Sequence, residues 1–102
     1  MPNVRFPATN KELSPGHLTD GSSTIPTQVY IVLLNDSDTV GENSRTLLAN
    51  FTAEFGEWEG HRSMFGGKMI SGELDQAKVA WLLTNDCGYI KVIEADGQVG
   101  FG

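Results

Sequence analysis

The sequence predicts an α+β domain with the element order β-α-β-β-α-β, and three observations lead to it. The chain has 102 residues, of which 39% are hydrophobic and 20% charged, as in one small globular domain. An unbroken run of β-branched and other apolar residues at 29–34 is typical of a buried strand. Two later stretches carry apolar residues at helical spacing.

The composition changes near residue 26, and this predicts the domain organisation. All four prolines lie at or before that position, together with the polar run 19–24. Apolar residues in the same segment follow no period. We therefore expect residues 1–26 to form a disordered N-terminal tail and residues 27–102 to form the folded domain. Basic and acidic residues cancel within the tail, so the net charge of -6 belongs to the domain.

The first half of the domain predicts a strand, a helix and a hairpin. The strand covers Val29–Leu34. A helix from about Ser44 to Glu57 follows, with Ser44 as its N-cap, because the apolar residues at 47, 48, 51 and 55 fall on one face. Residues 61–65 and 68–74 then pair as a hairpin around Gly66 and Gly67.

The second half predicts one more helix and the last strand. Asp75 precedes a helix from Gln76 to about Asn85, and Tyr89–Ile93 reads as the final central strand. The resulting order is that of a ferredoxin-like fold, with a four-stranded antiparallel sheet and two helices on one of its faces. The other sheet face is left for solvent or for a binding partner.

Composition and charge disfavour several classes of function. An acidic chain repels phosphates, so nucleic acids and anionic membranes are poor partners. No apolar run approaches the roughly 18 residues that a membrane span needs, and residues 1–10 lack a signal core, which favours a cytoplasmic protein. Cys87, His17 and His61 show no ligand or catalytic spacing. We expect no metal, no cofactor, no enzymatic activity and a monomeric state.

The most informative residues follow the last strand. Glu94 and Asp96 stand at i and i+2, so on an extended chain their side chains point the same way, about 7 Å apart. Two such carboxylates can form an acid–base pair, a cation site or a double anion for helix N-termini, and they can also mark a solvated strand end. Residues 97–102 carry no charged side chain and could add as a strand to another protein.

Three stretches, in this order and spacing, resemble the subtilisin propeptide-like inhibitor family. They are Val29–Val32, Gly72–Leu74 and Ile90–Val99, and the third includes Ile93-Glu94-Ala95-Asp96-Gly97. The family comprises the pro-segments of subtilisin-type proteases and the free fungal inhibitors of proteinases A and B. The resemblance covers residues 27–102, and the tail after Asp96 has the length found in the family.

The resemblance implies an inhibitor of subtilisin-like serine proteases. It implies that the open sheet face packs on two surface helices of the protease, whose N-termini Glu94 and Asp96 cap. The C-terminal tail would enter the active-site cleft like a cleaved product, with Val99 in the fourth specificity pocket and Gly100 between. Either Gly102 or, after trimming, Phe101 would fill the first pocket.

Two other functions remain open at this point. The chain could act in trans as a folding chaperone, as a free propeptide homologue would. It could also be an unrelated ferredoxin-like interaction domain, which would not need residues 99–102.

Overall fold

A computed structural model of the chain describes residues 2–85 and 87–96. Within them the protein has an α+β fold with one six-stranded mixed sheet and three α-helices. In chain order the elements are β1 (Val4–Phe6), β2 (Lys11–Leu13), α1 (Pro15–Thr19), β3 (Gln28–Leu34), α2 (Val40–Phe55), β4 (Arg62–Met64), β5 (Met69–Leu74), α3 (Gln76–Thr84) and β6 (Ile90–Ala95). A 3-10 turn, Phe65–Gly67, joins β4 to β5.

The sheet is larger than predicted, with the strand order β2-β1-β6-β3-β5-β4. The central strand β3 pairs antiparallel with both β5 and β6, and β4 pairs antiparallel with β5. Beyond β6 the sheet continues with β1, which is parallel to β6, and then with β2, which is antiparallel to β1. The prediction of a four-stranded antiparallel sheet is therefore wrong, because the N-terminal segment supplies two further strands.

The N-terminal segment also differs from the disordered tail that we expected. Val4 is fully buried opposite Ile93 of β6, and Leu18 and Ile25 are buried as well. The side-chain amide of Gln76 at the start of α3 accepts a hydrogen bond from the backbone N–H of Ile25 at 3.0 Å. Isolated apolar residues thus order this segment by long-range contacts. That residues 27–102 fold as a domain of their own stays a prediction.

The core lies between the helices and one face of the sheet. Along β3 the buried residues Tyr30, Val32 and Leu34 alternate with the half-buried Val29, Ile31 and Leu33. Burial that alternates with a period of two residues indicates a strand with one face in the core and the other facing outward. α2 contributes Leu47 and Phe51 to the core, and α3 contributes its predicted inward residues Val79, Leu82 and Leu83.

The helix boundaries are partly as predicted. Asp75 caps α3, since its carboxylate accepts a hydrogen bond from the backbone N–H of Lys78 at 2.9 Å. α2, however, begins at Val40, and the predicted N-cap Ser44 is a buried residue inside the helix. Gly67 packs so closely on it that a Cβ atom there would lie 2.8 Å from the Ser44 Cβ. A small residue at position 44 therefore serves this packing contact.

Candidate functional site

The outward face of the sheet carries an apolar stripe, and we call this face the open face. Ile31 and Leu33 of β3 are half-buried on it. Leu33 stands opposite Met69 of β5 on one side and Val92 of β6 on the other. Each of these side chains is half-buried. The stripe thus spans the neighbouring strands β5, β3 and β6.

Glu94 stands on the open face at the side of this stripe. In the register of the sheet it lies between Ile31 of β3 and Arg5 of β1. Its carboxylate forms an ion pair with the Arg5 guanidinium, and the Glu94 side chain is 18% exposed against 51% for Arg5. The strand pairing therefore holds this carboxylate at the surface without removing it from water.

Asp96 follows the end of β6 and continues its register. Its backbone N–H donates to the carbonyl of Val29 at 3.1 Å, which keeps the chain extended beside β3 as far as this residue. Because Glu94 and Asp96 are two positions apart on this extended segment, they share the open face. The structure therefore brings the two predicted carboxylates to the same end of the sheet.

A shallow groove of about 440 Å³ lies at this end of the open face. Its lining residues are Val29, Glu59, Gly60, Arg62, Ser71, Gly72, Glu73 and Asp96. Glu73 stands opposite Val29 in the β3–β5 pairing. The groove is therefore mainly acidic, with one guanidinium at its side, and it begins where the chain leaves the sheet.

A buried tryptophan packs against Gly72, one of the residues that line the groove. Trp58 is 2% exposed and stacks on Phe51, with 4.8 Å between the ring centroids. A Cβ atom on Gly72 would lie 2.6 Å from the Trp58 indole nitrogen, so only glycine fits there without displacement. That nitrogen is buried and has no hydrogen-bond partner among the described residues. Trp58 thus packs closely on β5 at Gly72.

The predicted tail residues Val99, Gly100, Phe101 and Gly102 lie outside the described residues. Their role in binding therefore rests on the sequence. Asp96, directly before the tail segment, is the last residue described at the groove.

Both histidines contact nearby backbone groups. Nδ1 of His17 accepts a hydrogen bond from the backbone N–H of Ser14 at 3.1 Å, and Nδ1 of His61 lies 3.2 Å from the Trp58 carbonyl. Cys87 is exposed in a turn. Within residues 2–85 and 87–96, no group of three or more His, Cys, Asp or Glu side chains could hold a metal ion.

Sequence reasoning missed Arg5, because it was assigned to a disordered tail. The sequence pattern that could have indicated Arg5 is a pair of short stretches, one with a basic residue at its centre and the other with an acidic residue at its centre. In the structure Arg5 of β1 stands opposite Glu12 of β2. Each of these strands has only three residues, too few to show the alternation of apolar and polar residues that indicates a strand.

The chain was compared with known proteins at three levels. No protein-family model, no curated protein and no solved structure matches it. No helix in the described part of the chain has both the length and the apolar character required to span a membrane.

Proposed function

We propose that this protein inhibits subtilisin-like serine proteases by docking its open sheet face on the protease and inserting its C-terminal tail into the active-site cleft. The observation that carries the proposal is the position of Glu94 and Asp96 at one end of an apolar open face, directly before residues 97–102. An apolar surface, two adjacent anions and an uncharged tail each have one task in this mechanism.

The strand order and connections within the sheet support the same proposal. Within the six-stranded sheet, β6-β3-β5-β4 are antiparallel neighbours, and α2 and α3 connect them in the order β3-α2-β4-β5-α3-β6. This is the strand order of a ferredoxin-like fold, the architecture implied by the resemblance to propeptide-like inhibitors. We propose that this part is the inhibitor domain and that β1 and β2 are an addition to it.

The two carboxylates would act on helix N-termini of the protease. The first turn of a helix has free N–H groups and the positive end of the helix dipole, so it binds anions well. Glu94 is half-buried on the interior strand β6, Asp96 is half-buried directly after it, and the backbone of Asp96 is hydrogen-bonded to Val29 of β3. Carboxylates held in this way lose little conformational entropy when they bind.

The tail would then bind as a product does. Val99 would occupy the fourth specificity pocket, and Gly102 or Phe101 would occupy the first. Inhibition would follow because a terminal carboxylate next to the catalytic serine offers no bond to cleave, while the sheet keeps the tail from leaving. We propose a monomeric cytoplasmic protein that acts without metal or cofactor.

The test of the docking step is a comparison of two double variants. Glu94→Ala/Asp96→Ala should raise the inhibition constant for subtilisin at least about fivefold, because each of the two helix caps contributes about 0.5–2 kcal/mol. The matched control, Glu42→Ala/Glu54→Ala, removes the same charge from the exposed surface of α2 and should leave the constant within about twofold. Equal inhibition by both variants, with folding verified by circular dichroism, would refute docking through the two carboxylates.

A further inference from the structure

Arg5 connects the N-terminal segment to the proposed docking surface. It pairs in register with Glu94 on one side and with Glu12 on the other, so three alternating charges cross β2, β1 and β6. Its guanidinium is in direct contact with the Glu94 carboxylate. Nothing in the resemblance to propeptide-like inhibitors calls for this contact, because that resemblance begins at residue 27.

The Glu94 carboxylate would have two competing partners, Arg5 and a protease helix. If Glu94 caps a protease helix, its carboxylate must accept hydrogen bonds from backbone N–H groups of that helix. In the free chain the same carboxylate is paired with Arg5 and is only 18% exposed. A docking helix would therefore have to share the carboxylate with the guanidinium or displace it.

The backbone of Arg5 cannot simply move away to resolve this competition. Val4 beside it is fully buried, and the carbonyl of Asn3 accepts a hydrogen bond from the N–H of Ile93 at 3.0 Å. The guanidinium, in contrast, lies on a long side chain that is 51% exposed. Only this side chain can swing out, so the cost of docking is confined to one exposed ion pair.

We infer that Arg5 is a regulatory residue that weakens docking by competing for the Glu94 carboxylate. The inference rests on the proposed function and deepens it. Any helix N-terminus that docks on Glu94 must share the carboxylate with the guanidinium or displace it. A chain without Arg5 would therefore bind the protease more tightly.

The experiment measures inhibition constants for subtilisin with the full chain and with Arg5→Gln. Because an ion pair with an exposed guanidinium contributes about 0.2–1 kcal/mol, the variant should bind about 1.4- to fivefold more tightly. Arg45→Gln on the exposed side of α2 changes the net charge equally and should give no gain. Arg5→Met, which keeps the apolar stem of the side chain, should repeat the gain.

A double-mutant cycle identifies the partner of Arg5. In a Glu94→Gln background, Arg5→Gln should bring no further gain, since the contested carboxylate is gone. Weaker or unchanged inhibition by Arg5→Gln, or an equal gain in the Glu94→Gln background, would overturn the inference. If the wild-type chain itself does not inhibit subtilisin, the proposed function fails and this inference with it. If the wild type inhibits but the variant gains nothing, only the inference fails.

Discussion

Gln76 and Leu18 are 58 positions apart in the chain, and a hydrogen bond of 3.0 Å joins the side-chain amide of the one to the backbone carbonyl of the other. The same amide nitrogen donates to the carbonyl of Ser23, and the amide oxygen accepts from the N–H of Ile25. One side chain at the start of α3 therefore satisfies three backbone groups of the N-terminal segment.

Replacement of Gln76 by Ala should destabilise the protein by about 1–3 kcal/mol, because partly buried backbone groups lose their partners. The measurement is urea denaturation followed by circular dichroism. Ala77→Ser, at the next and exposed position of α3, is the control and should change the free energy of unfolding by less than about 0.5 kcal/mol. An unchanged midpoint for Gln76→Ala would show that these hydrogen bonds do not hold the segment.

Removal of residues 1–26 should lower the free energy of unfolding of the remaining chain by several kcal/mol. Val4 and Leu18 are buried, and burial of a side chain of this kind contributes about 1.5–3 kcal/mol. The measurement is urea denaturation of the chain 27–102 beside the full chain. Identical midpoints would mean that the N-terminal segment contributes nothing to the stability of the domain.

Gly72→Ala should destabilise the protein by about 1–3 kcal/mol, because the new Cβ would lie 2.6 Å from the Trp58 indole nitrogen. The measurement is urea denaturation followed by tryptophan fluorescence. Gly16→Ala in α1 is the matched control, since its Cβ would meet only the Ser14 hydroxyl oxygen, at 3.8 Å. The control should be neutral or slightly stabilising, because alanine favours a helix over glycine. Equal effects of the two substitutions would contradict close packing at Gly72.

Tyr30 should make the protein less stable in strongly alkaline solution. Its hydroxyl donates to the Pro26 carbonyl at 2.6 Å, and burial raises the pKa of the phenol to about 12 from an unfolded value of 10.0. Below pH 10 the phenol is protonated in both states. Between pH 10 and about 12 it ionises only in the unfolded chain, so the free energy of unfolding falls as the pH rises.

The contribution of Tyr30 to this fall in the free energy of unfolding is measured by urea denaturation of the wild type and of Tyr30→Phe between about pH 9 and pH 12. The difference in stability between the two should shrink as the pH rises. A constant difference between wild type and Tyr30→Phe across this range would contradict a raised pKa.

Local patterns predicted the central elements of the fold because these elements are long enough to show a period. The buried run at 29–34, the capped helix after Asp75 and the hairpin around Gly66 all occur within a residue or two of the expected positions. The predicted start of α2 was wrong because serine is a typical N-cap residue. Ser44 instead lies inside the helix, where its small size allows the close contact with Gly67. Residue type alone does not distinguish these two uses of serine.

The N-terminal strands could not be predicted, since each has three residues with one of them buried, and no glycine turn joins them as Gly66 and Gly67 join β4 to β5. Val4 acquires its partner from β6, almost 90 positions away, so nothing local indicates order. The contact between Arg5 and Glu94 could not be predicted for the same reason. By contrast, the i, i+2 spacing of Glu94 and Asp96 was sufficient to place both carboxylates on one face, because the extended backbone continues through Asp96.

The most direct test of the proposed inhibition is a titration of subtilisin activity with the full chain and with a chain that ends at Gln98. We predict tight competitive inhibition by the full chain and a loss of at least about a hundredfold in the shortened chain, whose circular dichroism spectrum should be unchanged. Equal inhibition by both would contradict tail insertion into the cleft. Absence of inhibition by a folded full chain would contradict the proposed function itself.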